Sequence, residues 1–363
     1  MNLSLHLPVN SVSFGQVSTS LLREMHKRGL EPCLFPVGNV DINCQPAEKD
    51  FSDWIDVCVK KSQHTHNRKT PIFKLWHING SLESFSERQV LFTFYELDQP
   101  TETELNIIKN NSRVLVSNEE TKDILTMNGA DNVGTVPLAF DDFNFKILNK
   151  KYFSDERIVF NLTGKFEKRK HHVKAIRAWI KTYGNNPKYF LQCAIWNPFL
   201  KPEDNNQIVQ QIMEGKEYFN VNFLGSMEKN SVYNDFLNSA DVVIAMSGGE
   251  GWGLPEFHSV AMGKHAVVLN CSGYKQWANK ENSVLVEPKN KIEVYDNMFF
   301  RKGENFNQGN IYDFDDEDFI KGCERVVERL NKNRINEEGM KLQEKFTYGK
   351  MLDSITEELK ALE

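Results

Sequence analysis

Ser247-Gly248-Gly249-Glu250-Gly251-Trp252-Gly253-Leu254-Pro255 follows the apolar run Asp241-Val242-Val243-Ile244-Ala245 and precedes a helical pattern, Pro255 to Met262. The four glycines permit backbone angles and close approaches that a Cβ forbids. Pro255 suits the first turn of a helix, where no N–H is missed. A strand, a Gly-rich turn and a helix N-terminus together form an anion cradle. Glu250 sits in the turn, and each of its oxygens can accept from a sugar hydroxyl. A tight βα turn with a solvated Glu250 accounts for the same residues.

Outward from this stretch, strand and helix signals alternate. Before it come strands at 158–162, 189–195, 221–224 and 242–245, with helices at 172–183, 207–215 and 231–239; a strand at 266–269 follows it. The N-terminal part repeats the theme. Strands are expected at 3–7, 31–37, 90–94, 113–116 and 133–138, and helices at 17–28, 101–110 and 119–127. Residues 141–156 are polar and aperiodic and read as a linker. The tail from Arg334 reads as helical in two pieces, broken near Phe346-Thr347-Tyr348-Gly349. The expectation is α/β: two parallel-sheet domains with a cleft between them. The divisions are 1–145, 146–335 and a helical tail, 336–363.

Three further stretches carry chemistry. Leu162-Thr163-Gly164-Lys165-Phe166-Glu167-Lys168-Arg169-Lys170 places four cations after a strand, with Gly164 admitting close backbone approach. Such a cluster can neutralise a diphosphate, or it can be a solvated basic loop. Asn10 to Gln16 is a small-residue loop between strand and helix, with neither a dinucleotide fingerprint nor a Walker pattern. In Phe94-Tyr95-Glu96-Leu97-Asp98-Gln99-Pro100, Glu96 and Asp98 either face the cleft or cap the next helix.

The 363 residues carry 44 Lys plus Arg against 50 Asp plus Glu, a net charge of −6. That argues against a general cationic coat for nucleic acid or anionic membrane. The opening Met1-Asn2-Leu3-Ser4-Leu5-His6-Leu7 lacks a basic flank, and Pro8 interrupts it, unlike a secretory leader. The six cysteines form no Cys-x-x-Cys pair, so reduced thiols and a cytoplasmic location are expected.

In order along the chain, these pieces resemble the family-4 retaining glycosyltransferases. The likeness runs from Phe223-Leu224-Gly225 through Glu250-Gly251-Trp252-Gly253-Leu254-Pro255 to Ala261-Met262-Gly263-Lys264. It includes Gly164-Lys165 with Lys170, Val136-Pro137-Leu138-Ala139-Phe140-Asp141 and Val116-Ser117-Asn118-Glu119. The resemblance implies the GT-B architecture, two Rossmann-like domains facing a central cleft. It implies transfer of a sugar, with retention and without a metal, from a nucleotide-diphosphate donor to an acceptor hydroxyl. Lys165 and Lys170 would hold the diphosphate, with Gly164 beside them, and Glu250 the donor sugar. Gly251 and the backbone of Trp252, Gly253 and Leu254 would line sugar and phosphate. Gly225, Ser226 and Met227 would flank the base. Gly15 would bring a helix N-terminus to the diphosphate. No cofactor is implied beyond the donor as co-substrate, a UDP- or GDP-sugar for preference. The acceptor would be a glycan, such as a surface polysaccharide, or another hydroxyl compound; modified DNA is the alternative, without support from the charge.

Some positions depart from the family pattern. His258 stands where the family has the second glutamate, which grips the ribose, and Glu256 is expected on another helix face. A first-domain acceptor-site histidine is missing near Tyr95-Glu96. Asp313 to Asp318 contains Asp-x-Asp but reads as a solvated acidic loop, and Trp179, Phe190 and Trp196 read as core. A non-catalytic GT-B domain that binds a glycan or partner, and a nucleotide-sugar epimerase, are the competing functions.

Overall fold

The computed structural model describes residues 3–362. Met1 and Asn2 of the opening stretch and Glu363 of the tail lie outside them. The first domain strings together β1 (Ser4–Leu7), α1 (Ser13–Lys27), β2 (Cys33–Pro36), α2 (Lys49–Thr65), β3 (Ile72–Leu75), β4 (Gln89–Thr93), α3 (Glu102–Lys109), β5 (Arg113–Val116), α4 (Glu119–Met127) and β6 (Val133–Thr135). Its sheet is parallel throughout, in the order β2-β1-β3-β4-β5-β6. Helix α1 starts four residues earlier than expected, because it buries small polar residues, Ser18, Thr19 and Ser20, along with Val17 and Leu21. Sequence reading passed over β3. Lys74 interrupts its apolar run, yet Lys74 is buried and donates Nζ to the carbonyls of Gly80 and Glu83, both at 2.6 Å.

The second domain contains β7 (Ile158–Thr163), α5 (His172–Tyr183), β8 (Tyr189–Ala194), α6 (Pro202–Met213), β9 (Val221–Phe223), α7 (Asn230–Asn238), β10 (Val242–Ala245), α8 (Leu254–Ala261), β11 (His265–Leu269) and β12 (Val284–Val286). The sheet order is β12-β11-β10-β7-β8-β9, again all parallel. Strand order reverses between β7 and β10, and ligands of open α/β sheets sit at such a switch point, beyond the strand carboxyl ends. The basic stretch follows β7 and the Gly-rich stretch follows β10. Topology alone therefore brings the two together.

Three connections join the domains. Residues 136–157 hold no helix or strand; Asp141 accepts from Ser20 of α1, and Lys146 N–H donates to Asn234 of α7. An antiparallel hairpin, β13 (Asn290–Glu293) and β14 (Asn310–Asp313), leaves the second domain and inserts Val294, Phe300 and Ile311 among Ile78, Leu91, Tyr95 and Ile107 of the first. After α9 (Asp316–Lys332), the tail forms α10 (Glu337–Met340), α11 (Leu342–Lys345) and α12 (Tyr348–Lys360). Helix α12 returns to α1, where Arg28 pairs with Asp353 at 2.5 Å. The acidic stretch 313–318 is not a loop. It ends β14 and opens α9, where Asp315 caps Glu317 N–H and the first-turn acids face the positive helix end.

Candidate active site

Gly164 ends β7 in the left-handed region (φ 107°). A Cβ there would also lie 3.2 Å from the Lys170 side chain, so both conformation and space call for glycine. A single 3₁₀ turn, Lys168–Lys170, then folds the basic residues back toward the Gly-rich turn. Gly248 N–H donates to the Arg169 carbonyl (2.8 Å), and Arg169 Nη1 donates to the Gly249 carbonyl (2.6 Å).

The cations are internally balanced. Lys165 pairs with Glu167, and Lys170 with Glu250. Arg169 reaches Glu167 (2.8 Å), Glu250 (3.0 Å) and Glu96 (3.5 Å). Lys168 leaves the cluster and donates to the Tyr295 carbonyl of the hairpin segment (2.9 Å). Burial opposes the charge on Glu250, but Lys170 and Arg169 prevail and hold its pKa at about 2. Glu167 is lowered in the same way, burial being outweighed by Arg169 and Lys165. Glu96 goes the other way, raised chiefly by burial. Sequence reading gave the positive side of this cluster and left out its buried counter-ion, Glu167.

Glu256, set aside on sequence grounds, faces the network. It is buried, accepts from Thr163 Oγ1 (3.2 Å), and burial raises its pKa. Its Oε2 and the nearby Tyr274 hydroxyl are buried without a hydrogen-bond partner. His258, expected at the donor, is held by its own helix and by the linker. Its Nδ1 bonds the Leu254 carbonyl (2.6 Å), Nε2 accepts the Asp141 N–H (3.2 Å), and its ring packs between Phe140 and Phe145. Both nitrogens are thus engaged, Nδ1 within α8 and Nε2 at the interdomain linker.

Other expected residues are placed as follows. Gly251 lies against Phe94, and its carbonyl accepts from Ser117 Oγ (2.5 Å) and Asn118 Nδ2 (2.8 Å) across the cleft. Trp252 is buried against Phe257 and Phe346, with its carbonyl bonded by Trp277 Nε1 (2.9 Å). Gly253 is left-handed (φ 79°) and leads into α8 at Leu254. Gly15 packs under its own loop, since a Cβ would meet Asn10 at 2.2 Å; the cleft-side start of α1 is Val12–Ser13. Asp98 is not open to an acceptor. It receives Lys291 Nζ (2.9 Å) and Asn310 N–H (2.7 Å) from the hairpin.

Opposite Lys165, the first domain presents Phe14, Trp76, His77 and Phe94, with Phe14 centred 4.5 Å from both His77 and Phe94. Enclosure of the ring and then the charge of Lys165 lower the His77 pKa. His77 follows β3, the strand whose buried lysine concealed it in the sequence. Beside the charged cluster, a cavity of about 120 Å³ is lined by Phe166, Ile195, Trp196, Phe223, Leu224 and Gly225. Trp196 therefore borders a cavity instead of the core. Ser226 and Met227 follow this lining; Ser226 is exposed, and Met227 packs on the main core. Among the described residues, no three His, Cys, Asp or Glu side chains are grouped to hold a metal, and no helix is long and apolar enough to cross a membrane.

Residues 159–299 match the family model "Glycosyl transferases group 1". Comparison with curated proteins returns no match. Among solved structures, sucrose-phosphate synthase from Thermosynechococcus elongatus superposes with a TM-score of 0.70 at 13% identity, covering 100% of this chain and 99% of that one. A glycosyltransferase from Rickettsia africae gives 0.65 at 13% identity, with 99% and 98% covered. Anabaena Alr3699/HepE, solved with UDP and glucose, gives 0.62 at 14% identity, with 99% and 100% covered. The chain thus has the GT-B fold, and within its second domain residues 159–299 match the glycosyl transferases of group 1.

Proposed function

We propose that this protein transfers a sugar from a nucleotide-diphosphate donor, a UDP- or GDP-sugar, to a hydroxyl of a glycan acceptor with retention of configuration. The observation that carries this reading is the meeting of Arg169 and Lys170 with Glu250 at the switch point, with Lys165 joined to Arg169 through Glu167, beside a base-sized cavity. The base would enter the cavity at Gly225, and the diphosphate would lie along the three cations. Glu250 would accept from donor-sugar hydroxyls, and Glu256 with Tyr274 would supply further polar atoms beneath Gly253. HepE, solved with UDP-glucose, lends the donor class.

The bond from the anomeric carbon to the phosphate oxygen breaks, and the acceptor oxygen bonds to that carbon on the same face. The acceptor proton passes to the departing phosphate. Negative charge grows on the diphosphate, where fixed cations stabilise it without reorganising. That supply of positive charge is the basis for proposing a metal-independent reaction. All six cysteines are free and buried, consistent with the cytoplasmic location we propose.

Melting curves with UDP-, GDP- and ADP-sugars test the reading, because a ligand that binds the fold raises its melting temperature. One nucleotide class should give a clear shift. Glu250→Ala should lower transfer by about 100-fold or more. Absence of any shift, or an unchanged rate in Glu250→Ala, overturns the reading. Turnover without an acceptor, yielding the epimeric nucleotide sugar, would replace it with epimerisation.

A further inference from the structure

Lys165 has two neighbours that the charged network does not explain. Its ammonium lies 4.9 Å from the centroid of Phe199 and 4.5 Å from that of Phe299. The two rings are 6.3 Å apart and inclined at 70°. They come from separate insertions. Phe199 lies in the loop after β8, and Phe299 in the segment between β13 and β14.

Each ring is held by a built loop. Asn197, fully buried, accepts the Phe199 N–H (3.0 Å) and donates to the Phe166 carbonyl (2.9 Å). Asp296 Oδ1 accepts the N–H groups of Met298, Phe299 and Phe300 at 2.8, 2.9 and 3.0 Å. Yet Phe199 remains 66% exposed. A large ring fixed in place and left in water is a ready apolar contact for a ligand. The rings flank the ammonium assigned to the diphosphate, and the charge of Lys165 reaches His77 across the cleft. A group on this platform is therefore close to the reacting phosphate. The cavity at Gly225 is the place proposed above for the nucleobase.

We propose that Phe199 and Phe299 form the acceptor platform, stacking the apolar face of a pyranose ring while Lys165 turns to the diphosphate. This rests on the glycosyltransferase reading above. A pyranose offers what the platform needs: a face of C–H groups for the rings, and an edge of hydroxyls directed toward the cleft. The hairpin thereby supplies an acceptor residue from the second domain, opposite the aromatic wall of the first.

The test uses the full chain with maltose, cellobiose and lactose as probes, observed by saturation-transfer-difference NMR in the presence of UDP. The C–H protons of one pyranose face should saturate most strongly for at least one of these sugars. Phe199→Ala and Phe299→Leu should each weaken that sugar about fivefold, and Phe199→Trp should retain it. The melting shift given by UDP should persist in all three variants. Sugar binding that ignores both rings overturns the proposal, as does a lack of saturation for every sugar. Loss of the UDP shift in the variants also overturns it, since the rings would then serve the base. Absence of a shift with every nucleotide sugar in the unaltered protein defeats the glycosyltransferase reading alone; the sugar signals still judge the platform.

Discussion

Glu167 occupies the position between Lys165 and Arg169 that an anionic ligand would take, and it is almost fully buried. Replacing it by glutamine takes one carboxylate from the buried Arg169, which keeps Glu250 and Glu96, and one from the partly exposed Lys165, and destabilises the fold by about 1–3 kcal/mol. The same change frees positive charge for a diphosphate. Glu167→Gln should therefore melt lower than the unaltered protein but bind UDP more tightly, by about tenfold in calorimetry. Weaker UDP binding would mean that Glu167 aligns the cations instead of competing for them. His258 gives a contrasting case. His258→Ala removes two hydrogen bonds and a ring packed between phenylalanines, at a cost of about 2–4 kcal/mol. Denaturant titration should register that loss, while the UDP dissociation constant stays put.

Elements differed in how openly the sequence displayed them. β10, β5 and α5 were legible because apolar runs or helical spacing agree with their burial. α2 and the β13–β14 hairpin were not. α2 mixes Lys60 and Lys61 with a narrow buried stripe of Phe51, Trp54, Ile55 and Cys58, and the hairpin strands Asn-Lys-Ile-Glu and Asn-Ile-Tyr-Asp carry little apolar signal. Within the charged cluster, Glu250, Lys165 and Lys170 were singled out from the Gly-rich and basic stretches and the resemblance. Glu256 was hidden because helix phase alone does not show that Gly253 leaves room above its carboxylate. His77, Phe199 and Phe299 lie in irregular segments that only tertiary structure brings together. The hairpin's hold on the first domain also yields a test. Asp98→Ala removes the acceptor of Lys291 and Asn310, leaving Thr101–Asn305 (2.6 Å) and Glu104–Asn307 (2.9 Å). Limited proteolysis should then cut within 294–309 faster by about tenfold, the equivalent of ~1.4 kcal/mol of local stability. An unchanged rate would show that Asp98 does not hold the hairpin down.

For the whole molecule, buried titratable groups set the response to acid. Burial and then Lys170 lower His172 to about 3, and burial and then Lys74 lower His6 to about 4. An unfolded histidine takes up its proton near pH 6.5. Between these values the unfolded chain holds more protons, so these two groups lose stability as pH falls from 6.5. Glu250 adds to the loss from its ordinary 4.5 down to about 2. Glu96 and Glu256, raised by burial, act in the opposite sense: the stability they contribute in acid is lost as pH rises through their folded values. His172→Gln, whose amide overlays the Nε2 position, can still donate to the Thr163 carbonyl but does not titrate. Its stability should decline less steeply between pH 6.5 and 4, by up to about 1.4 kcal/mol per pH unit in denaturant titrations. An unaltered slope would rule out His172 as a source of the acid sensitivity.

The β13–β14 excursion also governs how the protein divides. A fragment ending at residue 299, where the family match ends, cuts the chain inside the excursion and omits β14. The Gly-rich turn then loses the backbone bond from Tyr312 N–H to the Gly248 carbonyl (2.9 Å). A fragment of the first domain alone lacks Val294, Phe300 and Ile311 and opens the cluster of Ile78, Leu91, Tyr95 and Ile107 to water. Neither half is a self-contained module: an exchange of donor domains between relatives, workable where halves meet only at a linker, would here have to carry first-domain core residues with it.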